Sequence, residues 1–273
     1  MNTEIYYFSQ TGHTKKVAET MAKTFRSQGH QVHDFSIHKA GMGEAIRGDL
    51  IGIGTPTFES HAPTPVMDFV DSLPSLENRK AFVFATGGGA PGRVFFDLKE
   101  ALRKKGASVV GEFWARGEIH HPAPCIKGKM PARPNEGDFE RTKEFALVVA
   151  DHLAKNRSGA LSREVQKKFV PDKYVFYSII GTIVGIKFLH RALVPKPKLD
   201  KKKCVSCQWC VKNCPTHNIE MKDFPVMGKE CIRCFRCSNG CPQQAYAVNW
   251  WLGNIVIYLL WNETFMRWFG DYD

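Results

Sequence analysis

Eight of the nine cysteines in this 273-residue chain fall into two runs of identical spacing. The first is Cys204-x2-Cys207-x2-Cys210-x3-Cys214-Pro215, and the second is Cys231-x2-Cys234-x2-Cys237-x3-Cys241-Pro242. Two intervening residues let three thiolates converge on one cubane of iron and sulfide, while the fourth cysteine sits too far round to join them and ligates the neighbouring cluster. The spacing thus assigns Cys204, Cys207, Cys210 and Cys241 to one 4Fe-4S cluster, and Cys231, Cys234, Cys237 and Cys214 to a second. Zinc also takes four thiolates at Cys-x2-Cys spacing, but paired triple-cysteine runs that each close with Cys-Pro are unusual for zinc. Cys125 stands alone and reads as an ordinary free thiol, and Trp209 reads as packing that shields a cluster.

Thiolate ligands need a reducing compartment. Met1-Asn2-Thr3-Glu4 lacks the basic start and apolar stretch of a secretory signal, so a cytoplasmic location is expected. The formal charge of +11 favours negatively charged partners. From Lys196 to Asn249 ten basic residues face four acidic ones, a balance of +6. No base-reading helix or finger is evident, so an acidic redox protein is the expected partner and nucleic acid is not.

Upstream, apolar or β-branched runs alternate with amphipathic stretches. Strands are expected at 4–8, 31–35, 49–54, 81–85 and 107–113, with helices at 14–28, 64–73, 92–105 and 138–155. Five strands alternating with helices over residues 1–155 predict an α/β, doubly wound parallel sheet whose ligand lies at the carboxyl ends of the strands. Residues 156–198 read as a helical and extended linker that ends in Val194-Pro195-Lys196-Pro197-Lys198, and its apolar run 174–186 is too short to span a bilayer. The cysteine module occupies 199–249. Residues 250–273 form an aromatic-rich tail, expected to dock on protein, with interfacial membrane contact as the other reading.

After the first strand comes Ser9-Gln10-Thr11-Gly12-His13-Thr14, at the start of a helix. Backbone N–H groups at a helix start, with Ser and Thr hydroxyls beside them, can cradle a phosphate. No P-loop lysine and no G-x-G-x-x-G accompany them, which disfavours nucleoside triphosphates and dinucleotides.

The cysteine runs resemble the two-cluster bacterial ferredoxins from Leu199 to Val248, which implies low-potential one-electron transfer. The loop and its strand-helix context resemble the flavodoxins over residues 1–155, with Gly54-Thr55-Pro56-Thr57-Phe58 and Thr86-Gly87-Gly88-Gly89 in register after the third and fourth strands. That resemblance implies FMN. By position, Ser9, Gln10, Thr11, Gly12, His13 and Thr14 would bind its phosphate, and Pro56, Thr57, Phe58, Thr86, Gly87 and Gly88 would line its ring. The fourth-strand loop lacks an aromatic, leaving Phe58 as the stacking residue and His61 as its neighbour, an open ring face that suits electron exchange and weak FMN retention.

The whole chain resembles flavodoxin-ferredoxin fusion proteins of anaerobes and archaea, with an α+β ferredoxin-like C-terminal domain. It implies an electron-transfer flavoprotein relaying electrons between an external one-electron carrier, two 4Fe-4S clusters and FMN. A flavin-dependent reductase of a small substrate such as a quinone is the competing reading, with His61, His120 and His121 as candidate proton donors. A flavin-free docking scaffold and a membrane-bound respiratory role are further readings, and a homodimer would leave open which chain's flavin meets which chain's clusters.

Overall fold

The computed structural model describes residues 1–38, 46–155, 159–171, 178–179, 182–183 and 193–261. Most of the apolar run 174–186 and the tail beyond 261 lie outside the described residues.

The first domain runs β1 (Asn2–Tyr7), α1 (His13–Ser27), β2 (Gln31–Ser36), β3 (Leu50–Pro56), α2 (Thr64–Ser72), β4 (Lys80–Gly87), α3 (Val94–Lys104), β5 (Ser108–Arg116) and α4 (Glu136–Ala154). The strands form one parallel five-stranded sheet in the order β2-β1-β3-β4-β5. The alternation in the sequence drives this. In β4, Ala81, Val83 and Ala85 join the core under α2 and α3, while Phe82 and Phe84 join the core under α1 and α4. Helix α1 buries Val17, Ala18, Met21, Ala22 and Phe25, one helical face. Helix α4 starts on a capping box in which Asn135 and Asp138 each accept the other's backbone N–H. A sheet buried on both faces excludes water from its ladder, which is why these strands read as nearly continuous apolar runs.

Two glycines in β3 make room for the larger rings of β4. A Cβ on Gly52 would lie 2.4 Å from the Phe82 ring, and one on Gly54 would lie 2.1 Å from Phe84. The chain leaves β1 to one side for β2 and returns to the other side for β3, so the carboxyl ends of β1, β3 and β4 open on one crevice.

After a short helix α5 (Arg163–Gln166), the cysteine module runs β6 (Lys198–Leu199), α6 (Trp209–Lys212), β7 (Ile219–Met221), β8 (Pro225–Met227), α7 (Arg236–Asn239) and β9 (Tyr246–Ala247), with β6 paired to β9 and β7 to β8. The two cysteine runs repeat in structure as in sequence. Ser206, Gln208 and His217 have positive φ in the first half, and Arg233, Phe235 and Gln244 do so in the second, at the equivalent positions. A non-glycine side chain in that region costs roughly 1–2 kcal/mol, so the same cost incurred twice at matching places marks a backbone bent to aim cysteines inward.

The last element, α8 (Trp251–Trp261), follows directly. Its Gly253 passes so close to the Leu193 carbonyl that a Cβ would sit 2.3 Å from that oxygen. Asn254 accepts the Cys125 backbone N–H at 2.9 Å. Trp250 and Ile257 join a small core with Ala123, Val194 and Phe235. The opposite face leaves Trp251, Leu252, Ile255, Tyr258 and Leu259 exposed. Among the described residues no helix is long and apolar enough to cross a membrane.

Gly52→Ala should force the Phe82 ring from its rotamer and cost about 1–3 kcal/mol. Urea denaturation monitored by far-UV circular dichroism checks this, and an unchanged midpoint would refute the packing account.

Candidate flavin and cluster sites

The loop after β1 is tied down at both ends. The Phe8 N–H donates to the Gly54 carbonyl at 2.9 Å, and the Lys16 N–H to the Gly12 carbonyl at 3.0 Å. Gly12 stands at the helix start with φ 96°, and its N–H donates to Ser9 Oγ at 3.1 Å. No side chain caps α1 and no acidic residue occupies its first turn. The free N–H groups and the positive end of the helix dipole are thus left for an anion. Thr14 is buried, and its hydroxyl hydrogen-bonds that of Thr86 at 2.8 Å, which locks the phosphate loop to the end of β4. The Thr57 N–H in turn donates to the Thr86 carbonyl at 2.9 Å, so the three loops are fixed to one another.

Together they form a cleft open to solvent, lined by Gln10, Thr11, His13 and Thr14 on one side and Thr57, Phe58, Gly87 and Gly88 on the other. Glycine is required here. A Cβ on Gly88 would lie 2.0 Å from Ile119, and one on Gly87 2.7 Å from Trp114. Thr57 Oγ1 is buried without a partner among the described residues. An anion-ready helix start, a close-approach glycine pair and an unsatisfied hydroxyl fit FMN. Bound there, FMN would supply a centre that holds one or two electrons.

The structure also distributes the candidate histidines. His120 and His121 line the hollow, and His13 stacks near His120 with ring centres 5.2 Å apart. His61 is not among the lining residues and pairs with Asp97 at 2.9 Å. Phe58 borders the hollow while its ring also rests edge-on against Phe8, 6.2 Å between centres. His121 is partly buried, its side chain 19% exposed, and that burial pushes its pKa down. Its Nδ1 accepts the Ala123 backbone N–H at 3.2 Å, so the neutral ring carries its proton on Nε2, 3.9 Å from Glu59 Oε1.

The cysteines line two smaller hollows of about 330 Å³ each. One holds Cys204, Cys207, Cys210 and Cys241. The other holds Cys214, Cys231, Cys234 and Cys237. The fourth cysteine of each run thus crosses to the partner run. The crossing residues receive equivalent N–H···S bonds, Asn218 to Cys214 Sγ and Ala245 to Cys241 Sγ, both 3.4 Å. Among the described residues no three His, Cys, Asp or Glu side chains group tightly enough for a single metal ion, so the thiols surround a volume instead of a point. Burial pushes the Cys234 thiol up to about 12, and Cys237 is raised for the same reason. Thiolates so placed need compensating positive charge, which the iron of a cubane provides. Trp209 borders the first hollow and packs so closely on Gly240 that a Cβ there would lie 1.8 Å from its ring.

The two sites touch. Gln10, counted in the sequence with the phosphate loop, sends its Nε2–H to the Cys234 carbonyl at 2.7 Å. Its own carbonyl accepts from the Arg236 guanidinium at 2.9 Å. Asn239 Nδ2 donates to the His120 carbonyl at 2.7 Å. Cys234 lines both the flavin hollow and the second cluster hollow. Arg236, Asn239 and Trp250 carry no motif that marks them, so spacing alone does not find them.

Comparison with known proteins agrees with this geometry. A flavodoxin family model matches residues 5–144, just over half of the chain. The chain belongs to the flavodoxin family. A 4Fe-4S dicluster domain model matches residues 196–242. An uncharacterised protein of Methanocaldococcus jannaschii is 30% identical over 141 residues, 50% of this chain and 89% of that protein. A flavodoxin of Megasphaera elsdenii is 26% identical over 111 residues, 40% of this chain and 81% of that one. Among solved structures, a flavodoxin from the domain Archaea aligns with a TM-score of 0.44 at 20% identity, over 56% of this chain and 99% of that one. The flavodoxin domain implies FMN and the dicluster domain implies iron-sulfur clusters. This flavodoxin-family chain is thus an electron-transfer flavo-iron-sulfur protein.

The lowered pKa of His121 has a consequence for stability. The unfolded chain takes up a proton as pH falls below the ordinary value of 6.5, which the folded chain resists. Stability from this group is therefore full above that pH and is lost as pH falls through the lowered folded value. The melting temperature should drop between about pH 7.5 and 5.5, and His121→Gln should shrink that drop. Anaerobic calorimetry of both proteins at matched pH tests this, and an equal drop would refute it.

Proposed function

We propose that this chain relays electrons between an external one-electron carrier, two 4Fe-4S clusters and FMN within a single polypeptide. The observation that carries this reading is the seat of the second cysteine run on the phosphate loop, where Cys234 borders both hollows and Gln10 and Arg236 bond across the join. Electron transfer between centres weakens steeply with separation, so a shared wall is what a relay requires. The route needs no second copy of the chain.

The order of centres follows from exposure. The cluster held by Cys214, Cys231, Cys234 and Cys237 abuts the flavin. The one held by Cys204, Cys207, Cys210 and Cys241 lies outward, with Cys207 exposed. Lys201, Lys202 and Lys203, all exposed, precede Cys204. A triplet of cations at the outer cluster suits an acidic carrier.

Anaerobically purified protein should contain about eight irons, a matching amount of acid-labile sulfide and one FMN, as two cubanes and one phosphate site require. Eight irons with no FMN, even after the cofactor is added, would overturn the relay. Replacing Lys201, Lys202 and Lys203 together by Glu should slow reduction by an acidic one-electron carrier about tenfold or more at low salt. The difference should fade as ionic strength rises toward about 0.5 M. Stopped-flow reduction at graded salt reads both. Arg236→Met removes a charged hydrogen bond worth about 1.5–3 kcal/mol. It should slow cluster-to-flavin transfer while leaving iron content unchanged.

A further inference from the structure

Beside the flavin hollow lies a second, somewhat larger one, also open to solvent. It shares the Thr57 and Gly87–Gly88 wall but contains none of the phosphate-loop residues and none of the cysteines. Its other walls are largely apolar and come from distant parts of the chain: Trp114 from β5, Ile126 from the loop after it, Val194 from the linker, and Val256 and Ile257 from α8. The docking of α8 through Gly253 and Asn254 therefore builds a compartment that the flavodoxin-like domain alone does not have.

The compartment is apolar but not featureless. Trp114 is 1% exposed, and its Nε1–H has no partner among the described residues. His121 borders both hollows and carries its proton on Nε2. Glu59 and Lys129 are the charged residues that line it. Indole N–H can only donate, whereas the His121 Nε2–H faces Glu59 Oε1 at 3.9 Å. The unmet indole donor of a residue that lines an apolar hollow calls for an apolar body that carries an acceptor oxygen, because an unmet buried donor costs about 1–3 kcal/mol.

We propose that this compartment binds a ring-shaped, apolar electron acceptor bearing carbonyl oxygens, of the quinone class. The proposal rests on the FMN reading for its electrons and not for its binding site. Reduction of a quinone to the hydroquinone consumes two electrons and two protons. The external one-electron carrier supplies the electrons in two deliveries. Solvent supplies both protons, one to each oxygen of the reduced ring.

The test is equilibrium dialysis of the full chain, clusters intact, with tetramethyl-1,4-benzoquinone, whose ring leaves no open carbon for thiols to attack. It is run with and without saturating FMN, whose own binding is followed in parallel by flavin fluorescence. Binding of one quinone per chain in both states is expected. Val256→Trp, which fills the hollow from α8, should weaken it about tenfold or more. Trp114→Phe, which keeps an aromatic ring but removes the N–H, should weaken the quinone and leave 1,2,4,5-tetramethylbenzene unaffected, so a folding defect is told apart from a lost donor. Displacement of the quinone by FMN would assign the compartment to the flavin ring and overturn the proposal, as would no binding in either state. Quinone binding by a chain that takes up no FMN would instead overturn the relay and leave this site standing.

Discussion

The hydrogen bonds at Gln10 join the phosphate loop to the cysteine module, and the rest of the interface is arranged around them. One residue of the phosphate loop uses its side chain to hold the Cys234 carbonyl and its backbone carbonyl to receive Arg236. A neutral hydrogen bond is worth about 0.5–1.5 kcal/mol net and a charged one about twice that. Neither alone fixes a domain, but Asn239 on the His120 carbonyl and the Phe235, His121 and Trp250 rings extend the same join. The small core around Trp250 then resists separation by burying apolar surface as well as by polar bonds.

Each half is built so that this join lands where the cofactors would be. In the parallel sheet, all loops at the carboxyl ends of β1, β3 and β4 face one way, and Gly52 and Gly54 let the Phe82 and Phe84 rings close over β3 without distorting it. In the cysteine module the paired left-handed residues at 206 and 233, 208 and 235, and 217 and 244 turn the backbone so that both runs face inward. The second run lies against the flavin loops and the first faces outward. The repeat is symmetric, but its surroundings are not, and that asymmetry sets one run against the flavodoxin-like domain and the other away from it.

Much of this was legible from the residues. The strands and helices of the first domain appear where alternation and helical spacing put them, because core faces must be apolar at the period of the element. The cysteine spacing likewise led to the crossed sets that line the two hollows, since a two-residue loop has few ways to aim thiolates. The phosphate loop was recognisable by its hydroxyls and Gly12. Less was legible at the flavin ring, where Phe58 and His61 were singled out as neighbours, yet Phe58 also packs on Phe8 and His61 pairs with Asp97.

The sequence by itself determined what repeats at short range: the alternating sheet and helix elements, the anion-ready turn and the ligand sets. These follow from the local geometry of backbone and side chain, so a pattern within some ten residues suffices. Only the tertiary structure decided which cysteine run meets the flavin site, that Gln10 serves as a clasp, and that α8 closes an apolar compartment through Gly253, Asn254 and Val256. Those contacts join residues far apart in the chain, as between Cys125 and Asn254. They arise from shape and hydrogen-bond complementarity between finished surfaces, and no local pattern encodes the pairing of two surfaces that form independently.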